Sequence, residues 1–337
     1  MVKLRALVIG IGGGGDVVSA IVAYNYYKRL GYETSLGAVI WERYVEDPIP
    51  GPICYDSLHN YRKLNESVYI VNKDTYAIRG KRKVIPQIVR VLSVLNEEGY
   101  GICIRNGPHG TFNDLYDAVL KEGFDIVIGV DAGGDVLAKG CEETLRSPLV
   151  DFTMLYVLTK LQEKGIRTLL GVIGAGSDGE LDHDYVLKRI AEIGRLNGLI
   201  DIKGIDVDSL KILDEILKIA NTEASRIPVE AFRGYYGIRE LRNGRKRAKV
   251  DPISSVMFFM DPKVVASTSF LFPIVSEAKD LEDLDEKLRS YGIYSEYSFE
   301  KDVYKRFGED SINAPPSEVE KIEKEGITRV GKPKINC

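Results

Sequence analysis

The chain has 337 residues, about twice the length of a typical domain. Its 44% hydrophobic and 28% charged residues are typical of a globular protein and exclude a disordered one. A net charge of −4 excludes a general electrostatic attraction to nucleic acid or to an anionic membrane. Glycine is the unusual component, because 33 residues exceed the ordinary share of about 7%.

The N-terminal segment and the apolar runs of the chain indicate where in the cell the protein is expected. No apolar run approaches the ~18 residues that a membrane span requires. The N-terminus passes directly into a strand-like run at Arg5, without a signal-peptide pattern. These features favour a cytoplasmic protein without a membrane partner.

Glutamine is scarce in this chain. It occurs only at Gln87 and Gln162, beside abundant Lys and Glu, which is typical of thermophile proteins. We therefore expect a calorimetric unfolding midpoint above about 65 °C, the upper end of the usual mesophile range. A midpoint below that temperature would contradict a thermophilic origin.

The cysteines and histidines limit the possible metal chemistry. Cys54, Cys103, Cys141 and Cys337 show neither the C-x-x-C spacing of a zinc site nor a disulfide framework. Cys103 lies in an apolar run, which predicts a buried and unreactive thiol. The three histidines are too few for a histidine-rich centre, so any metal is expected to rest mainly on carboxylates.

Strand-like and helical segments alternate through the first three-fifths of the chain. The predicted strands cover residues 5–11, 34–41, 68–71, 101–104, 124–130 and 167–173. Amphipathic helices are predicted between them, including one that begins at Ser147-Pro148 and one that begins at Asp182 or Asp184. This alternation predicts an α/β fold, a Rossmann-like, three-layer, mainly parallel sheet with helices on both faces.

The rest of the chain is less regular and predicts a smaller C-terminal α+β portion. Asp208 is expected to cap a helix, and Asn243-Gly244 is typical of a hairpin turn. A further strand is predicted at 256–260 and a further helix at 280–291. We therefore divide the chain into an α/β core (1–205), a C-terminal portion packed on it (206–310) and a charged helix with a tail (311–337).

Three segments that combine glycines with carboxylates follow three of the predicted strands. They are residues 10–16 (GIGGGGD), 129–135 (GVDAGGD) and 171–180 (GVIGAGSDGE), which hold 12 of the 33 glycines. The carboxyl ends of parallel strands meet at one edge of a sheet, where open α/β sheets bind ligands. We therefore expect the three loops to build one site.

The first loop formally fits a dinucleotide-binding pattern. Gly10, Gly12 and Gly15 satisfy G-x-G-x-x-G, whose backbone amides can approach a phosphate. However, Glu42 lies 27 residues after Gly15, beyond the spacing of about 20 expected for a ribose ligand. Asp16 would also repel a bare phosphate unless a cation lay between them. The alternative role of Asp16 is to cap the following helix.

The second and third loops supply further candidates. Asp131 ends a strand predicted to be fully buried, where a carboxylate binds a cation, acts as a base or ties down its own loop. Ser177 and Asp178 lie near His183, but Ala175 breaks the G-x-S-x-G pattern of a nucleophilic serine. Ser177 is therefore expected to bind a ligand oxygen or cap a helix, and His183 to be an exposed helix residue.

Two other segments are weaker candidates. Arg105, after the strand at 101–104, could hold a phosphate or carboxylate, or could belong to an ordinary polar loop. Basic residues surround the Asn243-Gly244 turn, namely Arg239, Arg242, Arg245, Lys246, Arg247 and Lys249. A solvated hairpin is favoured over a nucleic-acid site there, because the chain is acidic and the run lacks interleaved aromatic residues.

Four motifs together resemble domain-of-unknown-function family 1152, a family of archaea and some bacteria. They are GGGGD (12–16), GVDAGGDVL (129–137), SPLVD (147–151) and GSDGEL (176–181). The resemblance spans most of the chain and is firmest in its first three-fifths. It groups the same loops, but the family is uncharacterised and implies no mechanism.

The sequence thus predicts a metal-dependent enzyme that binds a phosphorylated or nucleotide-like small molecule at the carboxyl edge of the sheet. The predicted ligands of Mg²⁺ are Asp16, Asp131, Asp135 and Asp178, and Asp131 or Asp178 is the predicted base. The residues predicted to bind the small molecule are Gly12, Gly13, Gly14, Gly15, Gly133, Gly134, Ser177 and Arg105. The alternatives are a non-catalytic nucleotide- or dinucleotide-binding protein and, less favoured, a nucleic-acid-associated protein. A homo-oligomer is compatible with the sequence.

Overall fold

The computed structural model describes residues 3–242 and 244–335. Its strands are β1 (Arg5–Gly10), β2 (Glu33–Val39), β3 (Leu58–His59), β4 (Arg62–Lys63), β5 (Val68–Val71), β6 (Tyr76–Arg79), β7 (Arg82–Val84), β8 (Gly99–Ile102), β9 (Ile126–Ala132), β10 (Arg167–Ile173), β11 (Leu199–Gly204), β12 (Gly237–Leu241), β13 (Lys246–Val250) and β14 (Val256–Met260). Nine of them form one sheet in the order β11-β14-β10-β9-β1-β2-β8-β5-β4.

The helices alternate with these strands along most of the chain. They are α1 (Asp16–Arg29), α2 (Gln87–Leu95), α3 (Gly107–Glu122), α4 (Pro148–Glu163), α5 (His183–Arg195), α6 (Val207–Ile216), α7 (Arg226–Phe232), α8 (Pro262–Ser267), α9 (Leu271–Ser276), α10 (Leu281–Ser290), α11 (Glu296–Phe307) and α12 (Pro316–Val330). Over residues 3–242 and 244–335, none of these helices combines the length and apolar character needed to cross a membrane.

The central strands of the sheet are parallel, as predicted. Strands β10, β9, β1, β2 and β8 pair in parallel, whereas β14 and β5 run antiparallel to their neighbours. From β1 the chain moves to β2 and β8 on one side, then returns to β9 and β10 on the other. The strand order therefore reverses between β1 and β9, where open α/β sheets leave a crevice for ligands.

Helices cover both faces of this sheet, which confirms the predicted layers. Along β1, Ala6 and Val8 belong to one hydrophobic core with α1, α2 and α6. Leu7 and Ile9 belong to a second core with α3, α4 and α5. Successive strand residues point to opposite faces, so both faces of β1 are buried against apolar side chains.

The C-terminal portion contributes to the same sheet. Strand β14 was predicted at 256–260 with the bounds that the structure shows, and it lies between β10 and β11. The predicted hairpin is present as β12 and β13, although Asn243 of its turn lies outside the described residues. The helix cap predicted at Asp208 is wrong, because Asp206 accepts a hydrogen bond from the Ser209 amide at 2.8 Å and α6 begins at Val207.

The prediction of a free thiol at Cys103 is also wrong. Cys103, which follows β8, forms a disulfide with Cys54, and their Cα atoms lie 5.3 Å apart. Both residues are buried. Their separation of 49 residues left no local pattern in the sequence. Disulfides are rare in cytosolic proteins except in hyperthermophiles, where they are common.

We expect Cys103→Ser to lower the free energy of unfolding by about 2–4 kcal/mol, because the disulfide closes a long loop in the unfolded chain. Urea unfolding of the variant and of the unmodified chain measures the difference. Quantitative alkylation of Cys54 and Cys103 in the folded, non-reduced protein would contradict the assignment.

Candidate functional site

The three glycine–carboxylate loops line one cavity at the carboxyl edge of the sheet. The cavity has a volume of about 570 Å³ and lies where the strand order reverses. The predicted site residues among its walls are Gly12, Gly13, Gly14, Gly15, Asp16, Asp131, Asp135, Ser177 and Asp178. The structure thus brings together side chains that follow β1, β9 and β10.

Three carboxylates approach one another most closely within the cavity. One oxygen from each of Asp16, Asp131 and Asp151 lies within 4.8 Å of the others. Asp131 is 1% exposed and Asp151 is 2% exposed. The Asp151 Oδ1 atom is buried and has no hydrogen-bond partner among residues 3–242 and 244–335. We refer to these three residues as the carboxylate triad.

Asp151 was not predicted as a site residue. It lies in the first turn of α4, and its only signal in the sequence was its place in the SPLVD motif. Glu296 fixes this turn, since its carboxylate accepts hydrogen bonds from the amides of Leu149 at 3.3 Å and Val150 at 2.9 Å. Ser147, predicted to cap the helix, does not cap it and instead donates to Glu180 at 2.7 Å.

Asp16 is held at the triad by the main chain. Its Oδ2 accepts a hydrogen bond from the Gly12 amide at 2.8 Å, rather than capping an amide of α1. A Cβ atom on Gly12 would lie 2.6 Å from Asp16 Oδ2 and 2.9 Å from Asp151 Oδ1. Glycine at position 12 therefore leaves the space in which two triad carboxylates face each other.

The other predicted metal ligands, Asp135 and Asp178, line the cavity but hold protein groups. Asp135 Oδ2 accepts a hydrogen bond from Ser147 at 3.0 Å. Asp178 Oδ1 accepts one from the amide of Glu180 at 2.9 Å. Both acids therefore form hydrogen bonds within the protein and still line the cavity.

Four of the acids in the cavity wall hold protons more tightly than ordinary carboxylates. Burial raises the pKa of Asp16 and that of Asp178 to about 7. Burial also raises the pKa of Asp131 and that of Asp151 well above its usual range, and neighbouring carboxylates add to the shift. Like charges in a poorly solvated space favour protonation, and a bound cation would reverse that preference.

Arg43 is the arginine nearest to the first loop. Its Nη2 donates a hydrogen bond to the Gly12 carbonyl at 3.0 Å, while Nη1 is buried without a partner in the described chain. The carboxylates of Glu296 and Glu300 raise the pKa of Arg43 against the opposing effect of burial. Arg43 therefore stays charged and balances part of the acidic wall.

The glycines of the second loop allow close packing against neighbouring side chains. Gly133 and Gly134 have φ angles of 134° and 102°, which favour glycine. A methyl group on Gly133 would collide with the carboxylate of Asp178, and one on Gly134 would lie 2.7 Å from Val186 Cγ1. Neither glycine is part of the cavity wall.

In the first loop, two of the predicted phosphate-binding amides already have partners. The Gly12 amide donates to Asp16, and the Gly14 amide donates to the Trp41 carbonyl at 2.9 Å. An anion at this loop could therefore receive main-chain hydrogen bonds from at most the other two amides, those of Gly13 and Gly15.

Arg105, which was predicted to bind the small molecule, does not line the cavity, and neither does His183. Arg105 pairs with Asp56 at 2.6 and 3.2 Å. It follows β8, which β2 separates from β1 in the sheet. His183 is buried, not exposed as expected, with Nδ1 2.9 Å from the Ala175 carbonyl and Nε2 3.1 Å from Asp251. It does not pair with Ser177.

Three further features of the wall were not assigned from the sequence. Glu296 and Glu300 lie one turn apart on α11, a spacing that puts both on one helix face. Glu300 Oε2 accepts a hydrogen bond from Trp41 Nε1 at 2.8 Å. Arg242 and Arg245 of the basic hairpin also line the cavity, so this hairpin is not wholly solvated.

Comparison with known proteins identifies the family of the chain. A family model described as a protein of unknown function, DUF1152, matches residues 7–304. The chain belongs to the DUF1152 family. The matched range includes the whole triad and ends before α12. A search of curated proteins gave no match, and a search of solved structures gave none either.

Proposed function

We propose that the chain is a divalent-metal-dependent enzyme that acts on a phosphorylated or nucleotide-like small molecule at the carboxyl edge of its sheet. The triad of Asp16, Asp131 and Asp151 would hold a hard cation such as Mg²⁺. The observation that carries the proposal is the approach of three carboxylate oxygens to within 4.8 Å of one another, together with the unpaired Oδ1 atom of the buried Asp151.

A cation explains this arrangement better than protonation alone. A shared proton could bridge two carboxylates at most, whereas one cation could bind an oxygen from all three. Oxygens that bind one Mg²⁺ at about 2.1 Å would stand at most about 4.2 Å apart, and those that bind one Ca²⁺ at about 2.3–2.6 Å would stand at most about 5.2 Å apart. The spacing of the triad oxygens, within 4.8 Å of one another, is therefore compatible with a small hard cation.

The fold supports a small-molecule ligand at this position. Taken in chain order, the five parallel strands are arranged 3-2-1-4-5, which is the order of Rossmann-like nucleotide-binding sheets. The triad brings together the end of β9, the first residue of α1 and the first turn of α4, at the reversal point of that order. Fold alone does not establish a reaction, so the enzymatic part of the proposal rests on the acids.

Asp178 is the favoured base in this proposal. It lines the cavity without belonging to the triad, so a cation would not occupy its carboxylate directly. A pKa of about 7 suits proton transfer near neutral pH. Asp131 is the second candidate for the base, but a carboxylate that binds the cation is less able to accept a proton.

A screen of nucleotides and sugar phosphates, with and without Mg²⁺ or Mn²⁺, tests the proposal. We expect the cation alone to raise the melting temperature, and a ligand to bind and turn over only with the cation present. Nucleotide binding that EDTA leaves unchanged, without turnover, would favour the non-catalytic alternative. No response to any divalent cation would contradict the proposed function.

Gly12→Ala tests the space inside the triad. We expect at least a tenfold loss of Mn²⁺ affinity, because the added methyl group meets two triad carboxylates. Gly194→Ala is the matched control, since its methyl group would meet only Leu199 Cβ, at an ordinary contact of 3.8 Å. Titration calorimetry compares the two variants, and equal affinities would contradict the placement of the cation.

A further inference from the structure

Three arginine side chains stand on another part of the cavity wall. Arg146 precedes α4, and Arg242 and Arg245 come from the turn region of the β12–β13 hairpin. We propose that these three residues bind a phosphate group of the substrate, apart from the group that the cation holds. The inference rests on the proposed function, because it assumes that the substrate occupies this cavity.

Among the residues that the structure describes, the acidic partners of each guanidinium group lie at least 3.7 Å away. Arg242 Nη2 lies 3.7 Å from Glu180 Oε1, and Arg245 Nη1 lies 4.0 Å from Glu323 Oε2. Arg146 Nε is buried without a hydrogen-bond partner in the described parts of the chain and lies 3.8 Å from Glu323 Oε1. These distances exceed those of hydrogen bonds, so the donors retain capacity for an anion.

Some donors of these arginines are used by the main chain. Arg146 Nη1 donates to the Leu145 carbonyl at 2.7 Å, and Arg245 Nε donates to the Arg242 carbonyl at 3.2 Å. These bonds hold each side chain in place without cancelling its charge. The arginine side chains are thus held in position, and their positive charge remains available to bind an anion.

The carboxylate of Glu323 lies where we propose that the phosphate binds. Its two carboxylate oxygens face Arg146 and Arg245 from α12, which lies beyond the part of the chain that the family model matches. A phosphate carries up to two charges and three strong acceptor oxygens, so it would satisfy the same donors better than this carboxylate. Glu323 therefore acts as a competitor that a substrate phosphate would displace.

The charge of the remaining wall limits where an anion can bind. Its acids include Asp16, Glu42, Asp131, Asp135, Asp151, Asp178 and Glu180. A negatively charged group would be repelled by these acids unless it lay beside the cation or beside an arginine. The substrate class is therefore a phosphorylated molecule with a second oxygen-bearing group that reaches the triad.

The same hairpin offers a matched control. Arg247 lies on β13, its side chain is 72% exposed, and it is paired with Glu240 at 3.7 Å. It is not part of the cavity wall. Arg247→Gln removes one positive charge from the same hairpin without touching the proposed phosphate site.

Inorganic phosphate is the probe, titrated in EDTA and followed by ³¹P nuclear magnetic resonance. We expect Arg242→Gln and Arg245→Gln each to weaken phosphate binding about tenfold, because each removes charge-assisted hydrogen bonds. Arg247→Gln should bind like the unmodified chain. Glu323→Gln should bind phosphate more tightly, which a merely destabilised variant would not do.

A separate Mn²⁺ titration distinguishes the two possible failures. Equal phosphate affinities in Arg242→Gln, Arg245→Gln and Arg247→Gln would overturn the arginine site, and so would an unchanged affinity in Glu323→Gln. Retention of Mn²⁺ binding in these variants would show that the proposed function survives that failure. Absence of Mn²⁺ binding in the unmodified chain would overturn the proposed function itself.

Discussion

Asp151→Asn is expected to abolish divalent-cation binding and, in EDTA, to make the protein more stable. The change removes one of three carboxylates that face one another in a buried site. We expect at least a hundredfold loss of Mn²⁺ affinity and a gain of about 1–2 kcal/mol in the free energy of unfolding, because asparagine does not bear the cost of burying a carboxyl group among other acids. Titration calorimetry and urea unfolding measure the two effects.

Asp182→Asn is the control for this experiment. Asp182 caps α5 by accepting hydrogen bonds from the amides of Asp184 and Tyr185, a role that asparagine also fills. It should leave Mn²⁺ affinity unchanged. An Asp151→Asn variant that is less stable in EDTA, or that binds Mn²⁺ normally, would show that Asp151 is a structural residue.

The second large effect is a loss of stability of the metal-free protein as the pH rises from about 5 to 8. Burial raises the pKa of Asp16, Asp178, Glu296 and Glu300 to about 7, so the folded state binds more protons than the unfolded state in this window. The stabilisation is complete below the unfolded pKa near 4 and is lost as the pH passes through 7.

Saturating Mn²⁺ should oppose this loss, because the cation takes the place of the protons on the triad. Its affinity should therefore rise with pH over the same window. Urea unfolding at several pH values, in EDTA and in Mn²⁺, provides the measurement. Acids with lowered pKa values, such as Glu192 and Asp206, titrate below this window and do not mask the trend. Stability that increases from pH 5 to 8 in EDTA would contradict the proposed buried charge cluster.

Much of the architecture was readable from the sequence. Strands at 68–71, 167–173 and 256–260 were predicted with the bounds that the structure shows. The meeting of Asp16 and Asp131 followed from a general property of parallel sheets, whose strands end at one edge. Local sequence pattern was enough to predict these features, because each acid lies at or directly after the end of a strand that the sequence itself identifies.

Residues that depend on tertiary arrangement were harder to predict. Arg105 also follows a strand, but β2 separates β8 from β1, and no single sequence reveals that order. Asp151 reaches the site only because α4 is docked and capped by Glu296, which lies 145 residues later. The disulfide of Cys54 with Cys103 has the same origin, since its first cysteine lies in a long irregular segment.

Diffraction from a crystal soaked in Mn²⁺, measured at an anomalous wavelength, shows directly whether the triad binds a cation. We expect one strong anomalous peak within about 2.0–2.4 Å of an oxygen from each of Asp16, Asp131 and Asp151. A map with no peak at the triad, or a peak bound by other side chains only, would contradict it.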